Sequence, residues 1–72
     1  MTSRPFDFLN EGIGKEVLVR LKGSITVRGT LKAFDQHMNI ALENAEELVD
    51  NEVKKKYGKI VLRGDTVLFI SP

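Results

Sequence analysis

The sequence predicts a small, mainly β fold behind a short N-terminal helix, and three observations lead there. Two stretches in the first half alternate apolar and polar residues with a period of two, as half-buried strands do. The second of them is interrupted in mid-strand by Gly29, where the usual physical reason is a sharp bend or a close backbone approach. Near the C-terminus, "IVL" at 60–62 and "VLFI" at 67–70 are continuous apolar runs separated only by "RGDT".

With 72 residues the chain has material for one domain, spanning 1–72. A domain of that size buries only roughly 60% of the surface its unfolded chain exposes. Such scaffolds are usually stabilised by disulfides, a structural metal or oligomerisation. The cysteine count of 0 removes disulfides, thiolate zinc sites and cysteine nucleophiles, and a single histidine cannot build a multi-histidine metal cluster within one subunit. Self-association is the stabiliser left. The opening "MTSRPFDFLNEG" carries Arg4, Asp7 and Glu11 and has no apolar h-region, and no later stretch reaches membrane-spanning length. A soluble, intracellular, cytoplasmic protein with no membrane partner is expected. Eleven Lys and Arg against ten Asp and Glu give a net charge of +1, far from the balance of a protein that holds nucleic acid by charge alone. Any nucleic-acid role therefore needs a local site.

Taken in order, Ser3 can cap a short helix over 4–11, with Pro5 tolerated in its first turn, Phe6 and Leu9 on one face, and Gly12 or Gly14 ending it. At 16–22, "EVLVRLK" sets Val17, Val19 and Leu21 against Glu16, Arg20 and Lys22, and Gly23-Ser24 supplies a turn. "ITVRGTLKAFD" then places Ile25, Val27, Leu31 and Ala33 on one face, with Gly29 inward by parity. That strand is expected to bend. After "DQHMN" at 35–39, Met38, Ile40 and Leu42 alternate with Asn39, Ala41 and Glu43. The charged stretch "AEELVDNEVKKKYGK" fits a hairpin, a loop or a frayed helix, with turn chemistry at Asp50-Asn51. The two terminal apolar runs read as strands buried on both faces. Either a neighbouring subunit covers their second face, or the chain's own helix and curled sheet do.

Two polar turns thus sit between strands, "DQHMN" and "RGD" at 63–65. Imidazole and guanidinium both have flat faces that can sandwich a nucleobase, and an asparagine amide offers one donor and one acceptor to a base edge. Gly64 lets the backbone approach closely. Standing alone, His37 would be a solvated turn residue, and Asn39 and Asp35 would satisfy local backbone groups. Met38 shares parity with Ile40 and Leu42 and reads as core. Lys54, Lys55 and Lys56 resemble a phosphate patch, but a short charge run is more often a solvated surface. Scattered Ser3, Ser24 and Ser71 with one histidine give no nucleophile, base and orienter in register, so neither an enzyme nor a cofactor is expected.

These residues resemble the Sm and Sm-like family. Its first motif is similar to "VLVRLKGSITVRGTLKAFDQHMNIALENAEE" and its second to "KIVLRGDTVLFI". The likeness rests on Gly29, the Asp35-x-x-Met38-Asn39 turn, Glu43 and the Arg63-Gly64-Asp65 turn, in the family's order and spacing. "LRGD" fits the archaeal and eukaryotic branch, and 49–59 corresponds to the family's variable loop. The resemblance implies a short helix and a strongly bent five-stranded antiparallel sheet forming a small open barrel. It further implies a ring, heptameric by likeness, closed by pairing the fourth strand of one subunit with the fifth of the next. The implied ligand is uridine-rich single-stranded RNA, bound in a scaffold or chaperone role in RNA processing. By the same resemblance His37 and Arg63 would stack on the two faces of a base, Asn39 would read its edge, Asp65 would orient Asn39 or Arg63, and Gly64 would add a backbone contact. The alternative is a small barrel that recruits proteins by strand-edge pairing without base readout.

Overall fold

The computed structural model describes residues 5–71, with side chains from residue 7 onward. A helix α1, Pro5–Asn10, precedes five strands: β1 Glu16–Leu21, β2 Ile25–Phe34, β3 Ile40–Val49, β4 Glu52–Leu62 and β5 Val67–Ser71. A 3₁₀ turn at Gly64–Thr66 joins the last two. All neighbouring strands are antiparallel, in the order β4-β3-β2-β1-β5. The expected cap at Ser3 and start at Arg4 lie outside the described residues, as does the side chain of Phe6.

Period-two alternation does what it should in β1, where Val17, Val19 and Leu21 are buried and Glu16 and Leu18 are exposed. These three join Leu9, Val27, Leu31, Ile40, Leu42 and Ala45 in one core. Leu31 and Ile40 are fully buried, and burying a side chain of this kind contributes roughly 1.5–3 kcal/mol. Among the described side chains of α1, Leu9 is the one buried in the core. Gly12 behind it donates its N–H to the Leu9 carbonyl at 2.9 Å, closing the helix.

The bend runs across three strands at one level. At Gly29 the β2–β3 register jumps from Arg28↔Glu46 to Thr30↔Glu43, so β3 carries an extra residue there. A Cβ on Gly29 would stand 3.1 Å from the Glu43 carbonyl oxygen and 3.2 Å from the Ala45 Cα. The expected close approach is therefore to β3 backbone. Asn44 at φ 53 and Gly58 at φ 76 continue the irregularity on β3 and β4, both residue types that enter the left-handed region readily.

Ala33 departs from its expected inward position. β2 holds an extra residue between Leu31↔Leu42 and Ala33↔Ala41. Parity flips there, and Ala33 is exposed. Ile25, at the hairpin end of β2, is exposed as well. The charged stretch left open in the sequence is a hairpin: Val49 pairs with Glu52, and Asp50 and Asn51 take φ values of 52 and 67, the signature of a two-residue primed turn.

The terminal apolar runs are not buried on both faces within the chain. Ile60, Leu62, Val67 and Ile70 pack against the core, whereas Val61, Leu68 and Phe69 are 71%, 58% and 55% exposed. Neither α1 nor the curled sheet covers that second face. β4 and β5 are also the two edges of the sheet, so apolar side chains and unpaired backbone coincide there. Among the described residues no helix is long and apolar enough to cross a membrane.

Candidate nucleic-acid interface

The turn between β2 and β3 is organised by one carboxylate. Asp35 Oδ1 accepts the backbone N–H of His37 at 2.8 Å and that of Asn39 at 3.1 Å, and Asp35 Oδ2 accepts Nδ2–H of Asn39 at 3.0 Å. The backbone closes the same loop, with Asp35 N donating to the Asn39 carbonyl and Met38 N to that of Asp35. The Asn39 side-chain amide, followed by the backbone donors of Asn39 and His37, holds the Asp35 carboxyl below the ordinary aspartate range against some desolvation. Met38 takes φ 64, which turns the chain so that His37 stays exposed while Met38 packs on the core.

The second turn meets the first at Gly64. Its N–H donates to Asn39 Oδ1 at 2.8 Å, and a Cβ at this position would land on the His37 carbonyl oxygen and stand 2.9 Å from the carbonyl carbon of Met38. Only glycine fits. The turn is further fixed by Thr66, whose N–H and hydroxyl both donate to the Arg63 carbonyl, and whose own carbonyl accepts Lys22 N–H from the β1–β2 turn. Arg63 Nη2 donates to Asp65 Oδ2 at 3.0 Å. With side chains 81% and 62% exposed, that pair orients the guanidinium but adds little stability.

His37, Met38, Asn39, Arg63, Gly64 and Asp65 line one recess of about 520 Å³, in the size range of small-ligand sites. All five residues singled out in the sequence meet here, although 26 positions separate His37 from Arg63. Asp65 takes one of the two partners the resemblance implies for it, pairing with Arg63, while Asn39 is held by Asp35. The Gly64 N–H is committed to Asn39, so its part is the close approach. Asn39 keeps one Nδ2–H and one Oδ1 lone pair for a ligand. Met38 joins the lining unannounced, because parity assigns it to the core and the φ that brings it to the recess leaves no mark in the sequence.

The three lysines lie elsewhere, on the outer half of the β3–β4 hairpin. Lys55 is opposite Glu47 and Lys56 opposite Glu46, and Lys55 Nζ stands 5.2 Å from the Tyr57 ring centroid. Tyr57 in turn donates its hydroxyl to Glu47 at 2.6 Å, and Glu46 also binds Arg28 at 2.9 Å. The carboxylates opposite this charge run are thus engaged by Arg28 and Tyr57. A separate, more apolar hollow lies along β3 and β4, with Ala41, Ile60 and Val61 in its lining.

The LSM domain family model matches residues 7–72. An snRNP Sm-like protein of Methanosarcina barkeri is 51% identical over 72 residues, covering all of both chains. Among solved structures, the Sm protein of Pyrococcus abyssi in complex with a uridine heptamer superposes with a TM-score of 0.93 at 50% identity, over 97% of this chain and 99% of that one. A heptameric archaeal Sm protein gives 0.84 at 54% identity, over 90% and 94%.

Proposed function

The chain belongs to the LSM-domain family, and from that membership we propose that it is a ring-forming protein that binds uridine-rich single-stranded RNA in the recess between its two polar turns. The observation that carries the proposal is the Asn39–Gly64 hydrogen bond, which ties together two motifs distant in sequence around one open site. A base entering the recess would stack between the His37 imidazole and the Arg63 guanidinium, a contact worth about 1–3 kcal/mol per base. The free N–H and lone pair of Asn39 match the carbonyl acceptor and N–H donor on the uracil edge. Asp35 keeps that amide from rotating, so little ordering is lost on binding.

Assembly supplies the rest. The edge strands β4 and β5 pair between neighbouring subunits, closing a heptamer as in the archaeal Sm relative, with Val61, Leu68 and Phe69 becoming buried at the joint. Each ring then repeats the recess once per subunit, and a uridine tract gains affinity by occupying several recesses at once. Such a ring acts as a scaffold or chaperone for RNA. Comparing oligo(U) with oligo(A) affinity on the assembled protein tests the reading: strong preference for U supports it, and equal binding of the two tracts would argue for a surface that recruits partners without reading bases.

A further inference from the structure

Met38 is one of two methionines in the sequence, the other being Met1. It sits between His37 and Asn39 at φ 64, packs its half-buried side chain against the core, and lines the recess. A thioether there is within reach of solutes while being part of the support of the turn. We propose that Met38 is an oxidation site through which hydroperoxides weaken RNA binding, an inference that rests on the uridine reading of the recess.

The chemistry needs only a hydroperoxide. A sulfur lone pair attacks the terminal hydroxyl oxygen of the peroxide, the O–O bond breaks, and the other oxygen leaves as alkoxide, or as hydroxide from hydrogen peroxide, takes the remaining proton, and departs as the alcohol or water. Sulfur is oxidised by two electrons to the sulfoxide, and the peroxide is reduced. The product carries a strong S–O dipole that cannot lie against the apolar core without losing its hydration. Met38 must then shift outward. The neighbouring backbone has no slack to absorb the shift, because Gly64 is packed directly on the His37–Met38 peptide. Displacing that peptide pulls Asn39 Oδ1 away from the Gly64 N–H, and one oxidised atom disturbs both turns.

The test exposes the assembled protein to hydrogen peroxide and locates added oxygen by peptide mass mapping, which separates Met38 from Met1. Hydrogen-exchange protection of the Gly64 amide and affinity for oligo(U) are read before and after. The expected result is one oxygen on Met38, loss of protection at Gly64, and an affinity drop of about tenfold or more, since the lesion repeats in every subunit. Methionine sulfoxide reductase should reverse all three, and peroxide should leave Met38→Leu at whatever affinity that variant starts with. Resistance of Met38 to oxidation in the native protein would overturn the proposal, as would oxidation that leaves either Gly64 protection or oligo(U) affinity unchanged. Unoxidised protein that does not bind oligo(U) would count instead against the RNA reading, and Gly64 protection would still decide whether Met38 controls the turn.

Discussion

Asn39 and Gly64, 25 residues apart in the chain, are joined by a 2.8 Å hydrogen bond from the glycine N–H to the amide oxygen. The bond exists because Gly64 has no side chain, as a Cβ would collide with the His37 carbonyl. Gly64→Ala is therefore expected to separate the turns, at a stability cost of about 1–3 kcal/mol for overpacking against backbone, and to abolish oligo(U) binding. Gly58→Ala is the control: it has open space but φ +76, so it should lose about 1–2 kcal/mol and keep RNA affinity. Denaturant unfolding with binding measured on each variant separates the two. Equal RNA affinity in Gly64→Ala and wild type would contradict the arrangement.

Asp35 should show its role in a titration. Its carboxyl is held below the ordinary range chiefly by the Asn39 amide, so the stabilisation it gives the turn is fully present above the unfolded value of about 3.9 and is lost as pH falls through the lower folded value. Carboxyl carbon NMR should find the Asp35 midpoint depressed in the wild type and raised towards the ordinary value in Asn39→Ala. An identical midpoint in both proteins would show that Asn39 is not held by Asp35.

Replacing Lys54, Lys55 and Lys56 together with alanine should leave the salt dependence of oligo(U) affinity unchanged, because these lysines lie on β4 and outside the lining of the recess. A fall in the logarithmic salt slope of about one unit per lysine would instead place phosphates on the hairpin.

Ring assembly and folding should come apart at the edge strands. Val61 and Leu68 are exposed in the single chain, whereas Ile70 packs on the core and pairs with Val19. Native mass spectrometry of Val61→Asp and Leu68→Asp should show loss of the ring, with a smaller loss of unfolding free energy than Ile70→Asp suffers. Intact rings in both exposed-site variants would exclude this joint.

Much of this fold was legible because its governing patterns are local. Alternation marked β1, Gly29 marked the bend, and the paired turns with their motif spacing pointed to the recess residues. What escaped depends on register. The extra residue in β2 that exposes Ala33, and the positive φ values at Met38 and Asn44, arise from strand pairing and bending that no single stretch encodes. The uncovered face of 60–62 and 67–70 was a different case: composition demanded a cover, but only the geometry showed that the chain does not supply one. Asp35 illustrates the limit at the site itself, since turn chemistry identified it as a backbone partner and only the fold revealed its second oxygen on the Asn39 amide.

Base contacts should divide by residue. His37→Ala and Arg63→Ala should each weaken a multi-site uridine tract by more than the roughly 1–3 kcal/mol of one stacking contact, since every recess changes at once. Asn39→Ala should chiefly erode preference for U over A or C. Fluorescence anisotropy with oligomers of graded length, on variants first verified as rings, reads both effects, and variants that bind like the wild type would remove these residues from the site.

A crystal structure of the assembled protein with a uridine oligomer tests RNA binding in the recess most directly. A base is expected in each occupied recess, stacked between His37 and Arg63, with its edge on the Asn39 amide and the Asn39–Gly64 bond intact. Uridines bound elsewhere, with the recesses empty, would contradict it.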